Sequence, residues 1–146
     1  MGKAISDWKA AADQGHAGAQ CQLGITYDEG RGVPRNYKEA LLWYRKATDQ
    51  GMAGAQCRMG IMYFEGRGVP QNYKKALMLY RKAADKGDGN AQHNLGSMYD
   101  HGRGVPQSNK EAAVWWRRAA DQGNIDAQCK LGFMYRADKG VPKSTA

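Results

Sequence analysis

The stretch AQCQLGITYDEGRGVP, residues 19 to 34, returns as AQCRMGIMYFEGRGVP at 55 to 70 and as AQHNLGSMYDHGRGVP at 91 to 106. It returns again, more altered, as AQCKLGFMYRADKGVP at 127 to 142. The step is 36 residues each time, with no gap, and a period of that length is the signature of a stacked supersecondary unit. Complete units run over 19–54, 55–90 and 91–126; residues 127–146 hold the first half of a unit and residues 1–18 the second half of one. The chain of 146 residues reads as a single repeat domain.

Each unit is punctuated as helix, loop, helix. In the first helix, here helix A, Leu23, Gly24 and Tyr27 and their copies place one small and two large residues against neighbours. A glycine inside a helix gives up about 1 kcal/mol of propensity, which predicts that another helix approaches closely there. The GRGVP stretch ends helix A, because its glycines permit left-handed backbone and proline cannot continue a helix. Asn36, Asn72 and Ser108 then stand where N-caps belong, and Asn36 with Glu39 or Ser108 with Glu111 has capping-box spacing. Helix B follows, with Ala40, Trp43, Tyr44, Ala47 and Thr48 on one apolar stripe and Gly51 and its copies as the residue that closes it. Fifteen of the nineteen glycines fall in the four columns that begin at Gly15, Gly24, Gly30 and Gly32, and all four prolines share one further column. Such a helical pair cannot bury its apolar face alone, so pairs stack, and the fold class is an all-α, right-handed α-solenoid with one concave and one convex wall.

The combination LG/MY, GRGVP and WYRKAADQG at a 36-residue period resembles the Sel-one-like repeat (SLR) family, a relative of tetratricopeptide arrays. The resemblance covers nearly the whole chain and implies a solenoid that binds proteins or peptides as an adaptor or scaffold, with no reaction of its own. Two departures stand out: Asp138 replaces the glycine of Gly30, Gly66 and Gly102, and Asn109 replaces the tyrosine of Tyr37 and Tyr73. Cysteine-rich members of the family pair two cysteines within each repeat, and this chain has no second cysteine column.

Composition and motifs exclude more than they assign. No apolar run approaches a membrane span, and three widely spaced cysteines do not make a disulfide framework. The first residues lack the apolar stretch of a secretory signal, which makes cytoplasmic the expected location. Cys21, Cys57, His93 and Cys129 are zinc ligands by type, yet they recur at one place in four successive helices, strung along a row too long for one metal centre. No metal or cofactor is therefore expected. The GRG loops lack the strand, turn and helix order of a phosphate cradle and read as structural turns. His16, His93 and His101 have no nucleophile at suggestive spacing, so no enzyme is expected. The net charge of +8 lies largely in helix B columns, Lys38, Lys74 and Lys110, Arg45, Arg81 and Arg117, Lys46, Lys82 and Arg118. Arg45 with Asp49, and its copies, has i, i+4 spacing, and no aromatics interleave, so this convex face reads as solvated and nucleic acid ranks below a protein partner.

Variation among the repeats points to the binding surface. While packing columns hold, one face of helix A changes: Cys21, Ile25 and Asp28; Cys57, Ile61 and Phe64; His93, Ser97 and Asp100; Cys129, Phe133 and Arg136. These twelve residues are expected to line a concave groove, with Ile25, Ile61, Phe64 and Phe133 as apolar anchors and Asp28, Asp100 and Arg136 as polar selectors for a protein or peptide ligand. The opposing expectation is that they face neighbouring helices. An inhibitor or immunity protein against a bacterial toxin or effector would use the same groove. The half-repeats at the two ends would expose apolar area and permit self-association.

Overall fold

The computed structural model describes residues 2–137. Within them the chain forms eight helices and no strand: α1 (Gly2–Asp13), α2 (Ala17–Glu29), α3 (Tyr37–Asp49), α4 (Ala53–Glu65), α5 (Tyr73–Asp85), α6 (Gly89–His101), α7 (Asn109–Asp121) and α8 (Ile125–Ala137). Even-numbered helices are the A helices and odd-numbered ones the B helices. Asp138 and the rest of the altered fourth loop lie outside the described residues.

Local chemistry sets the helix boundaries. Asn36, Asn72 and Ser108 accept the amide hydrogens of Glu39, Lys75 and Glu111 at 3.1, 3.0 and 3.1 Å, capping α3, α5 and α7 as their sequence positions predict. The A helices carry their own cap column, which the sequence reading did not single out. His16 Nδ1, Asp88 Oδ1 and Asn124 Oδ1 accept from Ala19, Ala91 and Ala127, while Met52 gives α4 no side-chain cap. Helix A ends on a left-handed glycine, and the loop folds back so that the amides of Asn36, Asn72 and Ser108 donate to the carbonyls of Tyr27, Tyr63 and Tyr99 at 2.8 to 2.9 Å. That return fixes the A–B hairpin.

Packing groups the chain into two compact units, Met1–Ala76 and Leu77–Ala146. In the first, α2 packs on α3, and Ala12, Ala19, Leu23 and Trp43 form a buried cluster on which Ile5, Trp8 and Tyr27 lean. In the second, α6 packs on α7 and α7 on α8, around Ala112, Trp116, Ala119, Leu131 and Met134. The glycine of helix A is where the B helix comes closest. A Cβ on Gly24 would stand 2.4 Å from the Tyr44 ring, and one on Gly96 would stand 2.3 Å from the Trp116 ring. Only a residue without a side chain admits these rings.

Successive hairpins are stapled by a glutamine that the sequence motif contains but that was assigned no role. Gln20, Gln92 and Gln128 donate to the carbonyls of Ala12, Ala84 and Ala120 in the last turn of the preceding B helix, each at 3.1 Å. Gln50 and Gln122 complete the pattern by donating to Gln20 and Gln92 at 2.9 and 2.7 Å. A buried amide satisfied at both ends specifies how one hairpin sits on the next, because a shifted register would leave it unpaired.

Candidate functional site

The twelve expected groove residues divide by unit. On α2 and α4, Cys21, Cys57 and Asp28 are buried, and Ile25, Ile61 and Phe64 are half-buried. This corrects the expectation that Cys21, Cys57 and Asp28 are on display: the stripe they belong to is a packing face in the first unit. Burial pushes the Cys21 thiol above its usual range, with Arg58 pulling the other way, so the group is held as a neutral small apolar side chain. Asp28 accepts the Tyr44 hydroxyl at 3.1 Å through Oδ2, and its Oδ1 faces the Arg67 guanidinium at 3.3 Å. Arg67 itself lies over the Tyr37 ring and pairs with Glu65. Asp28 is therefore a stacking residue. Phe64 packs against Tyr73 with ring centroids 5.0 Å apart.

In the second unit the same stripe opens. His93, Ser97 and Asp100 on α6 are half-buried, and Cys129, Phe133 and Arg136 on α8 are exposed, Phe133 to 64%. Between these helices lies a cavity of about 400 Å³, lined by Asp100, His101, Trp116, Lys130, Phe133, Met134 and Ala137. It brings together two expected groove residues, Asp100 and Phe133. Five of its lining residues, His101, Trp116, Lys130, Met134 and Ala137, were not among the groove residues expected from the sequence. A signal existed for one of them: Trp116 interrupts a column that is tyrosine at Tyr44 and Tyr80.

The floor of the cavity is the buried Trp116, whose indole N–H donates to the His93 carbonyl at 3.2 Å, with Met134 beside it. Lys130 crosses one side, its Nζ 5.2 Å from the Trp116 ring centroid and 3.5 Å from Ser97 Oγ. Both partners are neutral. Arg136 lies over the Phe133 ring at 5.2 Å. His101 donates from Nδ1 to the Ser97 carbonyl at 2.9 Å and stands 3.9 Å from Asp100. His93 is held neutral to lower pH than a free imidazole, first by burial and also by Lys130; a hydrogen bond with Asn94 and the charge of Asp126 oppose this.

Cys21 and Cys57 are buried, His93 half-buried and Cys129 exposed, all with free thiols where cysteine stands. Among the described residues no group of three or more His, Cys, Asp or Glu is placed to hold a metal ion. Nor is any described helix long and apolar enough to cross a membrane. On the B helices the basic columns differ from expectation. Lys46 lies over Trp43 at 4.6 Å and Arg118 over Trp115 at 4.7 Å, so aromatic rings do accompany these charges. Arg81 and Arg117 donate to the hydroxyls of Tyr99 and Tyr135, which ties much of this positive charge into the packing of the repeats.

Helical hairpins that repeat every 36 residues, with A helix packed on B helix in α2–α3 and in α6–α7, define an α-solenoid repeat protein. The Sel1 repeat profile matches residues 17–52, 53–88, 89–124 and 125–146, and the chain belongs to the Sel1 repeat family. It is similar to c5321, a protective antigen present in uropathogenic Escherichia coli strains, at 38% identity and a TM-score of 0.88 over 93% of this chain. It is similar to a Sel1 repeat protein from Oxalobacter formigenes at 39% identity and a TM-score of 0.88 over 96% of this chain. The chain spans 29% of the first of those proteins and 56% of the second. Helicobacter pylori cysteine rich protein B shares the fold, with 24% identity and a TM-score of 0.70 over 87% of this chain and 96% of that one. None of the curated proteins matches. Sel1 repeats in general are scaffolds for protein interaction.

Proposed function

We propose that this chain is a non-catalytic adaptor or scaffold that binds a protein or peptide along the open face of its A helices, with the α6–α8 cavity as the principal contact. The observation that carries this reading is the cavity itself, an apolar floor rimmed by a few charged groups, which is the composition of a recognition pocket. In the first unit the half-buried Ile25, Ile61 and Phe64 would supply the corresponding strip. The histidines support binding over turnover, since each is engaged structurally: His16 caps α2, His101 is tied to the Ser97 carbonyl and His93 packs at half burial.

The test is a display selection of random peptides on the full chain, repeated with Phe133→Asp. The ring of Phe133 is exposed, so the variant keeps the fold, checked by circular dichroism. Peptides enriched on the wild type are expected to bind the variant about tenfold more weakly, as loss of one interface anchor does. Equal retention by the folded variant, or no enrichment at all, would overturn the reading.

A further inference from the structure

We propose that the α6–α8 pocket selects an acidic partner segment, in which a bulky apolar side chain seats on Trp116, Phe133 and Met134 while a neighbouring carboxylate pairs with Lys130. The proposal rests on the reading that this pocket binds a protein or peptide, and adds the chemistry of the partner.

Lys130 carries the inference. The residue is half-buried, and its ammonium contacts an indole face at 5.2 Å and a serine hydroxyl at 3.5 Å. Neither neutralises it. An ammonium drawn toward an apolar floor, with no carboxylate pairing it among the described residues, attracts anions more strongly than a fully solvated lysine does, since water screens it less. Arg136, over the rim residue Phe133, adds a second positive charge at the mouth. Among the described residues one lining carboxylate opposes them, Asp100, with His101 3.9 Å from it, while Asp126, one turn before Lys130, is exposed and outside the lining. The lining itself carries one lysine and one aspartate, and the positive excess comes from Arg136 over the rim ring and from a chain of net charge +8, which together favour a negatively charged guest.

The apolar half of the pocket determines the other half of the motif. Trp116 is 2% exposed and Met134 is buried beside it, so both are fixed by packing, whereas Phe133 stands free at the rim. A cavity of about 400 Å³ admits one large side chain with its flanking backbone and excludes a folded element. A bulky apolar residue next to Asp or Glu in an extended segment satisfies the floor and Lys130 together.

The competing outcome is selection of a basic guest by Asp100, as Asp28 takes Arg67 in the first unit. Fluorescence anisotropy with three fluorescein-labelled pools of short peptides separates the two. Each pool carries a central Leu, Phe or Trp flanked by Asp and Glu, by Lys and Arg, or by Ser and Gln. The acidic pool is expected to bind the wild type about tenfold more tightly than the basic pool, with affinity falling as salt rises. Lys130→Glu should abolish that preference. Lys82→Glu makes the same change in net charge on an exposed B-helix lysine outside the pocket lining and should leave the preference intact. If the basic or neutral pool binds as tightly as the acidic one, or Lys82→Glu acts like Lys130→Glu, the inference is overturned while the binding pocket stands. If no pool binds, the pocket reading falls and the inference with it.

Discussion

In the first unit Asp28 has a side chain only 4% exposed, with the Tyr44 hydroxyl and the Arg67 guanidinium against its two oxygens. In the second unit its repeat counterpart, Asp100, is 35% exposed and lines a cavity. One difference between the two sites lies one helix away. Tyr44 carries a hydroxyl that donates to the aspartate, whereas Trp116, at the same repeat position, has one donor and aims it at the His93 carbonyl. Lys139, which occupies the repeat position of Arg67, lies outside the described residues. Within one repeat frame, the same column is thus buried and bonded to Tyr44 in one copy and lines a cavity beside Trp116 in another.

The sharpest way to break this comparison is to remove both carboxylates. Asp28→Ala would leave the buried Tyr44 hydroxyl without its acceptor and Arg67 with Glu65 as its remaining carboxylate, and should cost about 3 kcal/mol in urea unfolding. Asp100→Ala should stay within about 0.5 kcal/mol, as at other partly solvated positions. Equal losses would show that the two aspartates are structurally equivalent after all.

The glycine column gives a second contrast. Gly24→Ala and Gly96→Ala drive a methyl into the Tyr44 and Trp116 rings and should each destabilise by about 2 kcal/mol, an overpacking cost that exceeds the gain in helix propensity. At Gly132 a Cβ meets nothing within 4 Å, so Gly132→Ala should stabilise by about 0.5 to 1 kcal/mol. Thermal melts of the three variants check this, and a stabilising Gly96→Ala would refute the packing role assigned to the column.

The smallest effect is pH-dependent and belongs to His93, which stands in the column of Cys21 and Cys57. Its folded-state pKa is lowered, chiefly by burial, so below the ordinary imidazole value the unfolded chain binds more protons than the folded one. The stability this group provides is present above that value and lost as pH falls through its folded-state pKa. The melting temperature of the wild type should drop between pH 7 and pH 5 more than that of His93→Gln, and identical slopes would remove His93 as the cause.

Much of the fold was legible because it depends on neighbours in the chain. Asn36, Asn72 and Ser108 cap the amides three residues on, and Gly51 and its copies sit in left-handed backbone where a helix must stop. The column of Gly24 and Gly96 announced a close helix approach, and the large rings that supply it are there. The candidate site was half legible. Spacing of i, i+4 and i+7 groups Cys21, Ile25 and Asp28 on one face, but a face turned to a neighbouring helix and a face turned to a guest have the same spacing. The roles of Gln20 and Gln92 were hidden in another way, since their partners are backbone carbonyls, which no residue type advertises.

The order of residues alone determined the 36-residue hairpin, its caps, its glycine turns and its membership in a stacking architecture, because each follows from propensities and contacts within a few turns of chain. Tertiary structure decided which copies of one column are sealed and which are open. Exposure is a property of what packs across from a side chain. For Asp28 that is Tyr44 and Arg67, sixteen and thirty-nine residues away.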